Sequence, residues 1–219
     1  MALARITVLI SGRGSNLGAL LAAQDQGAFA GAVTHVISNR ADAGGLELAR
    51  EHGVATTVIE HGRYVDRREF DAALQTAVDA GEPDLVVLAG FMRVLGAAFV
   101  QRYEGRLLNI HPSLLPSYPG LHTHRRVLAD GARSHGCTAH FVAPDVDAGP
   151  IVAQARVDVL PGDDEASLAA RVLEAEHRLL PQVVGWFCAG RLVIARGQVH
   201  VKGDSGTPTA APKPAAAPN

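Results

Sequence analysis

Short apolar runs rich in β-branched residues alternate with longer amphipathic stretches along the first part of the chain. The first run, residues 6–10, leads through a loop of glycine and serine into a helical pattern that begins at Asn16. Similar patterns predict strands at 33–38, 56–59 and 85–89 and helices at about 44–52 and 66–80. Such alternation is typical of a parallel, doubly wound, Rossmann-like α/β sheet.

The second half of the chain has shorter connections between its strands. We predict strands at 106–110, 138–142 and 151–157, a helix near 123–128 and a long helix at about 165–188. Short connections favour antiparallel neighbours, so the fold is predicted to be a mixed sheet that is parallel in its N-terminal half. Residues 1–202 are interpreted as one domain, and the Gly-, Pro- and Ala-rich residues 203–219 are expected to be disordered.

Charge and composition argue against several kinds of partner. The formal net charge of −2 provides no field that would attract nucleic acid or an anionic membrane. No apolar run suits a membrane span or a secretory signal, so we expect a cytoplasmic protein. Cys137 and Cys188 lie far apart outside any CxxC pair, which suits a reducing compartment and argues against a structural zinc site.

The loop Ser11-Gly12-Arg13-Gly14-Ser15-Asn16 lies between the first strand and the first helix. Free backbone N–H groups and the helix dipole form an anion site there, which suits a phosphate. The loop is not a Walker motif, because no Lys-Ser/Thr follows, and it lacks the third glycine of a dinucleotide fingerprint. A simple tight turn, with Ser15 or Asn16 as the N-cap of the helix, explains the loop equally well.

Asn109 and His111 stand two residues apart in an apolar strand and are therefore predicted to point to the same side. An amide is a neutral donor for a developing oxyanion, and an imidazole can add a charged donor or move a proton. An isolated Asn-x-His more often has a structural role. The neighbouring segments therefore determine whether this pair is interpreted as catalytic. Asp147, in a Gly/Pro turn after the strand that carries His140, can approach His111 and hold the imidazolium in place.

A loop with three prolines follows this strand: Pro112, Pro116 and Pro119. It is too rigid and too apolar for an ordinary surface connection, so it can fix the residues at the strand end. We predict that one X-Pro bond, Leu115-Pro116, is cis and turns the chain sharply beneath the site.

Four histidines and one glutamate outside the Asn-x-His motif are further candidates for the site. His122 and His124 have a spacing that could bind a metal, but no third ligand of standard spacing is apparent, so no metal is expected. His135 and His140 are interpreted as structural, although either can line the same cleft. Glu176 lies on the long helix, where charged residues usually face solvent. A carboxylate that reaches inward there could receive the hydroxyls of a sugar.

Four segments carry a resemblance to a known family. They are Ile10-Ser11-Gly12-x-Gly14-Ser15-Asn16, Leu88-Ala89-Gly90-Phe91-Met92-Arg93-Val94-Leu95, Asn109-x-His111-Pro112-Ser113-Leu114-Leu115-Pro116 and Asp147-x-Gly149-Pro150. Together they resemble the phosphoribosylglycinamide formyltransferases over about residues 5–195. The third segment by itself is typical of the wider family of formyl-folate enzymes. The glycine loop restricts the resemblance to the phosphoribosylglycinamide formyltransferases.

This resemblance implies an activity. A formyl group would pass from 10-formyltetrahydrofolate to the amine of 5-phosphoribosylglycinamide, a step of purine biosynthesis, without a metal ion. Asn109 and His111 would stabilise the oxyanion, and Asp147 would keep His111 charged and aimed. The partners would be small molecules only, and the chain would act as a monomer or homodimer.

The resemblance also implies binding residues. The phosphoribosyl group is expected on Gly14, Ser15, Asn16 and Glu176. The folate donor is expected on Met92, Arg93, Val94, Leu95 and Asn109. Arg67 matches the position that pairs with the glutamate tail of the folate, with Arg68 as the alternative, and Arg13 could add a phosphate contact. Residues of about 1–100 would then form a phosphate-binding half, and about 101–202 a catalytic and folate half.

Other functions stay open on the residues alone. A formyl-folate hydrolase and a transferase acting on another amine, such as a sugar nucleotide, would need similar chemistry. A non-catalytic nucleotide-binding module could use the same α/β sheet.

Overall fold

The computed structural model describes residues 3–203. Its strands are β1 Ala4–Ile10, β2 Gly31–Ser38, β3 Ala55–Val58, β4 Leu85–Leu88, β5 Leu107–His111, β6 Ser134–Phe141, β7 Ile151–Asp158, β8 Leu192–Ala195 and β9 Gln198–Val201. Its helices are α1 Ser15–Asp25, α2 Gly45–Glu51, α3 Arg67–Ala80, α4 Ala97–Arg102, α5 Thr123–Ala129 and α6 Glu165–Cys188, with a 3₁₀ turn at His61–Arg63. The sequence predicted β1 to β7, α1 to α3, α5 and α6.

Seven strands form one sheet in the order β3-β2-β1-β4-β5-β6-β7. The neighbours from β3 to β5 are parallel, and β6 is antiparallel to both β5 and β7. The predicted α/β fold with a mixed sheet is therefore confirmed. The strands from β3 to β5 are parallel because each helical crossover returns the chain to the end of the sheet at which the preceding strand began.

Alternate side chains of the central strands enter cores on opposite faces of the sheet. In β1, Ile6, Val8 and Ile10 pack with the apolar sides of α1 and α6, whereas Leu9 belongs to the core formed with α3 and α4. In β5, alternate residues from Leu108 onward enter the first core. Asn109 and His111 therefore share the opposite face of this strand, as their spacing predicted.

Local side-chain caps explain where the two longest helices begin. The Asp66 carboxylate accepts hydrogen bonds from the backbone N–H groups of Arg68 (2.8 Å) and Glu69 (3.0 Å) at the start of α3. Asp164 and Ser167 form a reciprocal capping box at the start of α6. Such caps satisfy amides that have no partner inside the helix, so they fix the first turn from sequence-local information.

Three elements were not predicted: α4, the 3₁₀ turn and the β8–β9 hairpin, which lies outside the main sheet. α4 begins after Gly96, whose N–H donates to the Asp71 carboxylate at 2.8 Å. Such a contact between distant residues leaves no local pattern in the sequence. The expected disordered tail lies, after Gly203, outside the described residues. Among residues 3–203, no helix is long and apolar enough to cross a membrane.

Candidate active site

The strand order reverses between β1 and β4, where the chain winds outward in both directions. Loops at the carboxyl ends of such strands leave a crevice, which is where open α/β sheets bind ligands. The glycine loop follows β1, the segment 89–96 follows β4, and Asn109 and His111 end β5. The sheet topology thus brings three of the sequence motifs to one edge.

The glycine loop turns tightly into α1. Gly14 is the N-cap residue with a left-handed φ of 78°, and no side chain caps the helix. A Cβ on Gly14 would lie 2.6 Å from Cα of Gly45, so both the conformation and the close approach of α2 require glycine here. The alternative interpretation with Ser15 or Asn16 as N-cap is wrong, because both residues already lie within α1. The amides at this helix end are left without a side-chain cap.

Asn16 instead makes a long-range contact. Its Nδ2 donates to Oε2 of Glu176 on α6 at 2.7 Å, while its Oδ1 is buried with no hydrogen-bond partner in the described part of the chain. Glu176 is only 6% exposed. Burial raises the pKa of this carboxyl to about 7, against the smaller opposing effect of the Asn16 hydrogen bond. Glu176 therefore points inward, toward the glycine loop, rather than to solvent.

At the end of β5, a carboxylate and an imidazole approach each other. Nδ1 of His111 lies 3.4 Å from Oδ2 of Asp147, and both side chains are almost completely enclosed. The same carboxylate oxygen accepts a hydrogen bond from the N–H of Gly120 at 2.8 Å. Nε2 of His111 lies 3.1 Å from the carbonyl oxygen of Tyr118, to which it can donate. Both ring nitrogens of His111 thus face acceptors, an arrangement that suits the imidazolium.

His140 completes this cluster, although the sequence analysis interpreted it as a structural residue that can line the same cleft. It lies opposite Asn109 in the β5–β6 pair, and Nδ2 of Asn109 donates to its Nε2 at 3.0 Å. Its Nδ1 is 3.0 Å from the carbonyl oxygen of Phe141. Burial lowers the pKa of His140, against weaker raising effects of Phe141 and Asp147. A neutral His140 with its proton on Nδ1 satisfies both contacts, so it fixes the orientation of the Asn109 amide.

The proline loop is anchored beneath these residues by a buried threonine. Thr138 Oγ1 donates to the carbonyl oxygen of Ser113 at 2.6 Å and accepts from the N–H of Leu115 at 3.0 Å. Gln154 Nε2 donates to the carbonyl oxygen of Leu115 at 2.7 Å. The Leu115-Pro116 bond is cis, as predicted. The loop therefore holds Tyr118 and Gly120, and through them His111 and Asp147.

A model of the formyl transferase family matches residues 4–184. The chain belongs to this family. The phosphoribosylglycinamide formyltransferase of Escherichia coli (strain K12) is 51% identical over 187 residues, which cover 85% of this chain and 88% of that protein. The glycinamide ribonucleotide transformylase 1 of Symbiobacterium toebii has a TM-score of 0.89 and 46% identity over 91% of this chain and 94% of its own. The phosphoribosylglycinamide formyltransferase of Coxiella burnetii has a TM-score of 0.88 and 48% identity over 92% and 94%.

The resemblance inferred from the four motifs is therefore confirmed. Within this formyltransferase, the segment after β4 borders the same crevice. Met92 is 62% exposed, Arg93 and Val94 are also exposed, and the side chain of Leu95 is buried in the core with α3 and α4. Three of the four residues of this segment that the resemblance assigns to the donor are therefore exposed, and the fourth, Leu95, is buried.

The remaining sequence candidates are three arginines and a pair of histidines whose pKa values the charge of His111 affects. Arg13, Arg67 and Arg68 are exposed. His124 Nδ1 lies 3.0 Å from Nε2 of the buried His135. The pKa of His135 is lowered to about 4, mainly by its burial. Within residues 3–203, no group of three or more His, Cys, Asp or Glu side chains is arranged to hold a metal ion.

Proposed function

We propose that this formyltransferase transfers the formyl group of 10-formyltetrahydrofolate to the amine of 5-phosphoribosylglycinamide, giving the N-formyl product and tetrahydrofolate. The observation that carries the proposal is the meeting of an amide, an imidazole and a carboxylate at the end of β5, in a chain of the formyl transferase family. The names of the relatives from E. coli and C. burnetii give phosphoribosylglycinamide as the formyl acceptor.

The glycine loop supports the choice of a phosphorylated acceptor. The uncapped start of α1 at Gly14, Ser15 and Asn16 offers backbone N–H groups and the positive end of the helix dipole to a phosphate. The buried Oδ1 of Asn16 and the carboxylate of Glu176 are acceptors for the hydroxyls of a ribose. Arg13, exposed in the same loop, adds a positive charge for the phosphate.

The segment after β4 supports a folate donor. Met92 and Val94 offer exposed apolar surface beside the crevice to the pterin, together with Arg93 and the backbone at Leu95. The charges of Arg67 and Arg93 both act on the pKa of Asp71, although burial, which raises this pKa, is the larger effect. Arg67 thus lies close to this segment, which favours Arg67 over Arg68 for the glutamate tail of the donor.

In the reaction that we propose, the glycinamide nitrogen attacks the formyl carbon and a C–N bond forms. The carbonyl electrons move to the oxygen, and the tetrahedral oxyanion accepts hydrogen bonds from Nδ2 of Asn109 and from His111. One Asn109 proton is directed to His140, so the second remains for the oxyanion. The Tyr118 carbonyl has to release the Nε2–H of His111 before that group can donate to the oxyanion.

Collapse of the intermediate breaks the bond between the formyl carbon and the folate nitrogen. The attacking amine loses a proton and the departing folate nitrogen gains one, so the overall charge is unchanged. Asp147, next to Nδ1 of His111, keeps that ring charged while the oxyanion exists. Solvent water can carry the proton between the two nitrogens.

The test is release of tetrahydrofolate from 10-formyltetrahydrofolate, with and without phosphoribosylglycinamide. We expect release to require that amine and to match the N-formyl product mole for mole. A hydrolase would release tetrahydrofolate and formate without any amine. A transferase for another amine would show no stimulation by phosphoribosylglycinamide, and either result would reject the proposal.

A further inference from the structure

Ser11, the last residue before the first glycine of the loop, is 7% exposed and makes two long-range hydrogen bonds. Its hydroxyl donates to Oδ1 of Asn39 at 2.5 Å and accepts from the backbone N–H of Met92 at 2.8 Å. Ser11 follows β1, Asn39 follows β2, and Met92 lies in the segment after β4. One buried hydroxyl therefore joins three neighbouring strand ends at the crevice.

Asn39 determines the direction of that hydroxyl. It is 4% exposed, and its Nδ2 lies 3.2 Å from Nδ1 of His61, which accepts this bond in the tautomer that carries its hydrogen on Nε2. This contact sets the amide so that Oδ1 faces Ser11. Since the Ser11 proton is then committed to Asn39, a lone pair of the hydroxyl oxygen remains for the N–H of Met92.

The Met92 contact holds the middle of the segment after β4. The ends of that segment are fixed by hydrogen bonds from Ala89 N–H to Leu9 O (3.0 Å) and from Gly96 N–H to the Asp71 carboxylate (2.8 Å). Between them, Gly90 adopts a left-handed φ of 74°, and Met92, Arg93 and Val94 are exposed. Without the Ser11 hydroxyl, this exposed stretch loses its central attachment to the sheet.

We propose, resting on the function proposed above, that Ser11 and Asn39 are positioning residues that set the donor-binding segment at a fixed distance from the acceptor-binding loop. Ser11 leads directly into the loop that takes the phosphate, and its hydroxyl holds the first residue of the stretch that takes the pterin. The formyl carbon has to come within about 3–3.5 Å of the amine, so the donor is bound usefully only at one place. A displaced segment no longer presents its donor contacts there, so it binds the donor less tightly at that place. Neither residue touches a substrate in this scheme.

The test compares Ser11→Ala, Asn39→Leu and the double variant with wild type, by the KM of each substrate and kcat. Loss of one buried hydrogen bond predicts about a three- to tenfold rise in the donor KM for Ser11→Ala, with kcat changed less. Asn39→Leu should change the donor KM in the same direction. The double variant should be no worse than Ser11→Ala alone, because both residues act through one bond to Met92.

Thr7→Val is the matched control, because it removes from β1 a buried hydroxyl that has no hydrogen-bond partner in the described part of the chain. It should leave the donor KM unchanged. A donor KM for Ser11→Ala equal to that of wild type, an equal rise in Thr7→Val, or a double variant whose effect is the product of the single effects would overturn the inference.

Two further measurements separate this inference from the proposed function. Melting temperature reports a purely structural role, which would lower stability in Ser11→Ala without a selective change in donor KM. Calorimetric titration with tetrahydrofolate compares donor-site affinity among the variants independently of turnover. If wild type failed to formylate phosphoribosylglycinamide, the proposed function would fall, while equal tetrahydrofolate affinities in wild type and Ser11→Ala would reject the positioning role alone.

Discussion

Replacing Glu176 by Gln should make the folded protein more stable at neutral and higher pH. The substitution keeps the shape of the side chain and an oxygen that accepts from Nδ2 of Asn16, but it removes the ionisable group. Burial raises the pKa of Glu176 from 4.5 to about 7, so the folded state favours the protonated carboxyl. The wild-type enzyme therefore has to tolerate a buried negative charge as the pH rises.

The sign and size of the effect follow from linkage. Between about pH 4.5 and 7 the folded chain binds a proton at Glu176 that the unfolded chain has released, so the free energy of unfolding falls as the pH rises. The contribution of this group is fully present below pH 4.5 and is lost as the pH passes through about 7. At about 1.4 kcal/mol per pKa unit, this shift corresponds to about 3 kcal/mol.

The assay is denaturant-induced unfolding of wild type and Glu176→Gln at pH 5, 6, 7 and 8. We expect an advantage of the variant of less than about 1 kcal/mol at pH 5, which grows to about 3 kcal/mol at pH 8. Glu174→Gln, on the exposed side of the same helix, is the matched control and should follow wild type. A difference that does not change with pH, or a variant less stable than wild type at pH 8, would refute the reasoning.

Further substitutions test the site and the loop. Asn109→Ala and His111→Ala should each lower turnover by a factor of about 10²–10³, because each removes a preorganised oxyanion donor. The circular dichroism spectrum should not change. Near-normal turnover in either variant would contradict this role. His140→Ala should lower kcat about tenfold, because it releases the Asn109 amide. His140→Gln should recover part of this loss, since the side-chain carbonyl of Gln can accept the Asn109 hydrogen bond in place of Nε2. An unchanged kcat in His140→Ala would count against the contact. Gly14→Ala should lower Tm by at least about 4 °C, because the added Cβ would lie 2.6 Å from α2 and the backbone is left-handed. Gly12→Ala is the control and should keep the wild-type Tm, since a Cβ there would have no atom within 4 Å. Equal Tm values in the two variants would disprove the steric argument.

Periodicity and caps predicted most of the fold because they act over a few residues. The alternation of apolar runs gave the parallel half of the sheet, and the boundaries of α6 agree with the predicted 165–188 because a local capping box starts this helix. The β8–β9 hairpin was missed because it follows the last helix and lies outside the main sheet, so it takes no part in the alternation of strands and helices on which the strand predictions rested. α4 was missed because its start depends on Asp71, which lies 25 residues away.

The amino-acid sequence by itself determined the sheet class, the family and the types of chemical group at the site, because these depend on local patterns and motifs. Tertiary structure decided the contacts that no motif indicated. The β5–β6 register places His140 opposite Asn109, and packing of α6 against α1 buries Glu176 beside Asn16, 160 residues away. Burial and long-range hydrogen bonding set proton affinity and side-chain orientation, and both depend on neighbours that are distant in the chain. For the same reason, only the folded chain shows that Ser11 joins the glycine loop to the segment after β4.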